Sequence, residues 1–193
     1  MIRIEQRGRI GSKGGARWGN HRYVLRRSWM GDGGVVNFIM LNPSTADDVF
    51  DDATIRRCVG FAKRWGFSGL VVTNLFAYRA TQPKDLAKLL ETDYALALGE
   101  DNGLHVDREA RAANTIVCAW GDGAELCPGR ALEVIGSLYF RDIFCIRETK
   151  KGNPAHPVRE PYTDAPKLFF SNLATSKQIE GRDPEASISG EGL

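Results

Sequence analysis

A three-layer α/β/α domain is predicted, with a mainly parallel four-stranded sheet and an N-terminal antiparallel edge strand. Three observations lead there. Apolar runs of strand length alternate with segments of helical period, a pattern that demands right-handed crossovers and helices on both faces of a parallel sheet. Two of the runs end on a lone asparagine, Asn42 and Asn74, and in parallel sheets ligands bind beyond the carboxyl ends of the strands. At 193 residues the chain is long enough for one domain with a real core.

The elements follow in order. Residues 23–29 read as a strand, 31–34 (Gly-Asp-Gly-Gly) as a turn and 35–41 as a second strand, so these two strands are expected to pair as a hairpin. Residues 54–65 have helical period, with Ile55, Cys58, Val59, Ala62 and Trp65 on one face and Gly66 just past the end. A third strand covers 70–75. Pro83 opens a short helix, residues 91–101 are ambiguous, and 102–113 form another helix. A fourth strand, 115–120, is stopped by Gly121-Asp122-Gly123. Residues 129–139 form a helix with Ala131, Leu132, Ile135 and Leu138 on one side, and 142–147 a fifth strand. A polar loop, 148–157, carries His156-Pro157. The domain is expected to span 21–170, after a basic flexible arm (1–20) and before a mobile tail (171–193) poor in large apolar groups.

Composition narrows the class. No apolar run approaches the ~20 residues of a membrane helix, and residues 1–7 show no signal-peptide pattern, so a cytoplasmic protein with no membrane partner is expected. The four cysteines form no Cys-x-x-Cys pair; they read as buried thiols rather than zinc ligands. The net charge is +2, yet the first thirty residues carry eight Arg or Lys against one acid, Glu5. Such an arm can track phosphates. Arg17, Trp18, His21, Arg22 and Tyr23 mix cations with aromatic planes, which suits nucleic acid; a solubilising terminus is the equal alternative.

The candidate site comes from three places. Pro43 holds Asn42 extended, so its amide faces out of the strand tip beside Ser44 and Asp47. Asn74 carries a paired donor and acceptor, able to read a base edge. His156, stiffened by Pro154 and Pro157, suits donation to a developing oxyanion. Asp47, Asp48, Asp51 and Asp52 could bind Mg²⁺, but capping the helix that follows is the better role. Arg56 and Arg57 are placed to pair with these acids or with a phosphate, and Arg79 is another phosphate candidate. The glycines at 121 and 123 could let backbone approach a ligand. Neither a dinucleotide fingerprint nor a Walker lysine occurs, so no cofactor is expected.

These segments resemble a bacterial and phage family known as a domain of unknown function, DUF1643. The residues that carry the resemblance are 41–47 (Leu-Asn-Pro-Ser-Thr-Ala-Asp), 52–58, 74–81, Cys118-Ala119-Trp120-Gly121 and His156-Pro157. A more distant similarity is to the uracil-DNA glycosylase superfamily. Asn42-Pro43 is similar to the end of its first motif, Val71-Val72-Thr73-Asn74 to its base-reading strand, Trp120-Gly121 to a third strand end and His156-Pro157 to its last motif. That resemblance implies a glycosylase-like fold and catalytic roles for Asn42 and His156. Asn74, Pro43, Ser44, Asp47, Arg79, Trp120 and Gly121 would contact substrate; the charge pattern, not the resemblance, offers Arg17, Arg22 and Arg56 for phosphates. Asn42 stands where the fast enzymes carry an acid, so it would only position water. The expected function is nucleobase binding in nucleic acid, with N-glycosidic cleavage as its catalytic form. A non-catalytic nucleic-acid binder and an enzyme of free nucleosides or nucleotides are the alternatives.

Overall fold

The computed structural model describes residues 13–44 and 50–171. Seven strands among them form one mixed sheet: β1 (Lys13–Trp18), β2 (His21–Ser28), β3 (Val35–Met40), β4 (Gly69–Asn74), β5 (Thr115–Cys118), β6 (Ile143–Cys145) and β7 (Lys167–Phe170), in the order β1-β2-β4-β3-β5-β6-β7. β4, β3, β5 and β6 run parallel, while β1, β2 and β7 are antiparallel to their neighbours. The five strands expected from sequence are therefore too few. β1 takes up residues assigned to the basic arm, because Gly14, Gly15 and Ala16 hide a strand that pairs with β2. β7 is a short edge strand at the end of the predicted domain. Residues 1–12 and 172–193, the rest of the arm and tail, lie outside the described residues.

The helices are α1 (Ala53–Arg64), α2 (Pro83–Thr92), α3 (Tyr94–Leu98), α4 (Asn102–Ala112) and α5 (Pro128–Ser137). α1 covers one face, where Ile55, Cys58 and Phe61 meet Leu25, Phe38, Leu70, Val72 and Val117. The other helices cover the opposite face, where Leu86, Val106, Ala110, Val134 and Leu138 meet Ile39, Leu75, Ile116 and Ile143. Adjacent residues such as Phe38 and Ile39 thus serve opposite cores, as strand alternation requires. Each fully buried side chain of this size contributes about 1.5–3 kcal/mol. In and just after α5, Ala131, Ile135 and Leu138 face the core as expected, while Leu132 is 69% exposed and Val134 is buried in its place.

α1 starts where Asp52 Oδ1 accepts from Ile55 N at 2.8 Å, a standard N-cap. Lys63 and Arg64 close its last turn, and Gly66 follows with φ +83°, the left-handed position that favours glycine. None of the described helices is long and apolar enough to cross a membrane.

The expected hairpin of residues 23–29 with 35–41 does not form. β4 lies between them: Leu25 faces Val72 in antiparallel register and Val36 faces Leu70 in parallel register. The link between β2 and β3 passes under the start of β4. There Ser68 N donates to Gly34 O at 3.0 Å, and a Cβ on Gly33 would sit 1.7 Å from the Gly66 carbonyl oxygen. The glycines that suggested a hairpin turn serve a close backbone crossing instead.

The chain leaves β3 toward β4 and later returns to the other side of β3 as β5. The loops after β3 and β5 therefore diverge to opposite faces. A crevice at the carboxyl ends of these strands is where an open α/β sheet binds its ligands.

Candidate functional site

Four loops and one hairpin tip meet at this edge. After β3, Asn42 Nδ2 donates to Pro43 O at 3.1 Å and to Ala80 O at 2.8 Å. Ala80 N returns a bond to Pro43 O at 3.0 Å, and Arg79 Nε donates to Ser44 O at 3.3 Å. Asn42 thus clips the loop after β3 to the loop after β4 through its Nδ2. Asp47 and Asp48 lie outside the described residues.

Asn74 ends β4 in register with Met40. Leu70 and Val72 on the same strand face α1, and alternation turns Asn74 to that face too. It is 2% exposed, and its Nδ2 has no hydrogen-bond partner among the described residues. A buried donor left unpaired costs about 1–3 kcal/mol, so its retention calls for an explanation. The surrounding backbone is rigid. Asn102 Nδ2 donates to Asn74 O and Leu75 O at 3.0 and 2.8 Å, and Arg130 Nε donates to Leu75 O at 2.9 Å. Nothing in the sequence marked Asn102 or Arg130, since each opens a helix in an ordinary polar setting.

After β5 the chain splits its roles. Trp120 is buried in the core beneath α2–α5, so this expected substrate residue belongs to packing. Gly121 takes φ +68° and donates its N–H to Pro154 O at 2.8 Å. A Cβ there would lie 3.2 Å from His156 Cβ. Gly121 is therefore the seat of the His-Pro loop. Asp122 pins that loop by accepting from Thr149 Oγ1 at 2.6 Å and Asn153 Nδ2 at 3.0 Å. These bonds hold its carboxyl below the ordinary range.

His156 Nδ1 accepts from Val158 N at 3.4 Å, which leaves the proton of the neutral ring on Nε2. Burial lowers its pKa, with Asp52 opposing. The 3₁₀ turn that follows (Pro157–Arg159) is tied to α1 by Arg57, which donates to Pro157 O and Glu160 O. The Arg57 guanidinium lies 3.8 Å from the Tyr162 ring centroid, so Arg57 holds the loop and is not spare for phosphate. Glu160 in turn pairs with Arg147 at 2.5 Å. A nitrogen-detected imidazole titration should find His156 as the Nε2–H tautomer with a midpoint below 6.5. Because the folded value is depressed, this group's contribution to stability is present above 6.5 and is lost as pH falls through the folded value.

Of the phosphate candidates, Arg17 is exposed and Arg22 is 4% exposed. The β1–β2 register shifts between Ala16 and Arg17, and Val24 and Leu25 are both buried. This bulge re-phases the strand and turns Arg22 inward. Arg56 is exposed and donates to Asp51 O at 2.6 Å. Asp51 pairs with Arg27 at 2.6 Å and Asp52 caps α1. No cluster of three or more His, Cys, Asp or Glu able to hold a metal occurs among the described residues. Cys58, Cys118 and Cys145 are buried free thiols and Cys127 is half-buried; burial pushes Cys145 up to about 11.

A family model described as "Protein of unknown function (DUF1643)" matches residues 22–158, a span that includes Asn42, Asn74, Gly121 and His156. No curated protein and no solved structure matches the chain.

Proposed function

The chain belongs to the DUF1643 family, and from that premise we propose that it binds a nucleobase of a nucleic acid in the crevice at the carboxyl ends of β3, β4 and β5. We read its fold as glycosylase-like and its chemistry as cleavage of the N-glycosidic bond. The observation that carries this reading is the buried Nδ2 of Asn74, a donor with no partner among the described residues. A base carbonyl is a fitting acceptor.

The dimensions agree. β4 and β5 lie on either side of β3, two strand spacings or about 10 Å apart. A base between Asn74 and the Gly121–His156 seat would fill that width. In this reading Asn74 donates to the base edge. The glycosidic bond breaks with its electron pair passing to the base, and His156 Nε2–H donates to the negative charge that develops. Asn42 Oδ1 accepts from the water that adds to the sugar carbon, and the water's proton leaves to solvent.

One observation favours a second reading, binding without turnover. Asn42 spends its nitrogen on Pro43 and Ala80, and an amide is no general base. Base release from oligonucleotides carrying uracil, hypoxanthine or a mismatched pyrimidine separates the two. The catalytic reading expects release that slows about a hundredfold or more in His156→Ala, with a comparable loss in Asn42→Ala. Release at native rates in both variants would remove these residues from the chemistry. Salt-dependent binding with no release would establish the second reading.

A further inference from the structure

The β1–β2 hairpin brings its tip to the same edge as the crevice. Trp18 stands opposite His21 across a two-residue connection, Gly19-Asn20, and Gly19 has φ +52°, as tight hairpins require. The tip is anchored to the loop after β4. Arg22 N donates to Ala77 O and Arg79 N to Asn20 O, each at 2.9 Å.

The structure thins the mixture of cations and aromatics seen in the sequence. His21 bonds Leu96 O at 2.7 Å and stacks on Tyr23. Tyr23 stacks on His105 of α4 with centroids 4.7 Å apart. Both rings therefore serve packing, and Arg22 is buried. Arg17 and Trp18 remain outward, Trp18 with 57% of its surface exposed.

We propose that Trp18 and Arg17 form a second contact for a single-stranded nucleic acid whose base occupies the crevice, Trp18 stacking on a base and Arg17 pairing with a phosphate. This rests on the nucleobase reading of the crevice. The strand order sets the reach: two and a half to three and a half strand spacings, about 12–17 Å, separate the β3/β5 crevice from the tip. At about 3.4 Å per stacked nucleotide, four to five nucleotides connect them. A dinucleotide reaches only the crevice, whereas an octanucleotide reaches both.

The test measures the affinity of the full chain for a thymidine dinucleotide and a thymidine octanucleotide. The native protein should bind the octanucleotide more than about tenfold tighter, and Trp18→Ala should lower that ratio about tenfold, with Trp18→Phe restoring part of it. Arg17→Ala should reduce the salt slope for the octanucleotide by about one. A native ratio near one, or a ratio unchanged in Trp18→Ala, overturns the hairpin contact. The crevice is judged separately by Asn74→Ala with the dinucleotide. Loss of that binding with no Trp18 effect would leave the crevice standing and the hairpin contact refuted. A protein partner, rather than nucleic acid, would show as neither ligand binding, which also refutes it.

Discussion

Replacing Asn74 by alanine is expected to weaken nucleobase binding about a hundredfold while leaving the melting temperature close to native. The two halves of this expectation come from one fact. Nδ2 is buried and has no partner among the described residues, so they gain no bond from it. Its deletion relieves a desolvated donor, which offsets the small loss of packing, and the net change in stability should stay within about 1 kcal/mol. A ligand carbonyl that bonds this donor would lose a contact made away from water, and such losses reach about 3 kcal/mol. Most buried polar residues behave oppositely, since removing them orphans a partner. Glu160, which holds Arg147 at 2.5 Å, is an example on the same edge. If Asn74→Ala unfolded the chain, or bound as well as native, Asn74 would be a scaffold residue. Calorimetric binding and thermal melting on the same sample separate these outcomes.

Gly33→Ala should have the largest effect on the fold itself, about 3 kcal/mol or more. For a domain of this size that lowers the melting temperature by about 10 °C. The added Cβ would meet the Gly66 carbonyl oxygen at 1.7 Å. No flexible side chain can yield there. Gly66 N donates to Lys63 O at 3.1 Å and Phe67 N to Ala62 O at 2.9 Å, so the opposing backbone is itself the end of α1. Relief requires the β2–β3 link to move from beneath β4, and with it the registers on both sides of that strand. Gly136 in α5 is the control. Its Cβ would meet nothing within 4 Å, so Gly136→Ala should be neutral or stabilising through helix propensity. Equal melting of the two variants would contradict the crossing.

The parallel strands and α1 were legible because burial on both faces writes them as apolar runs and the helix as a clean stripe. The end of β4 was legible for the opposite reason: Asn74 breaks such a run. What stayed hidden depends on contacts distant in sequence. Gly31, Gly33 and Gly34 read as a turn in either topology, and only Gly66 decides between a hairpin and a crossing. β1 is written in small residues and cations and lacks an apolar face, so it resembled an arm. Trp120 and Arg22 looked like site residues by type. Alternation sends Trp120 into the core under α2–α5, and a register shift in the β1–β2 pair turns Arg22 inward. Asp122 and Gly121 carry the His-Pro loop through bonds to residues about thirty positions later, a relation that a linear reading cannot show.

If Asn74 and His156 face one nucleobase, the Asn74 side-chain amide and the His156 Nε2–H resonances report it together when a uracil-containing single strand is added. Both signals should shift with one shared midpoint, and the His156 shift should vanish in Asn74→Ala. Binding that leaves the two signals unmoved, or moves them with separate midpoints, would contradict it.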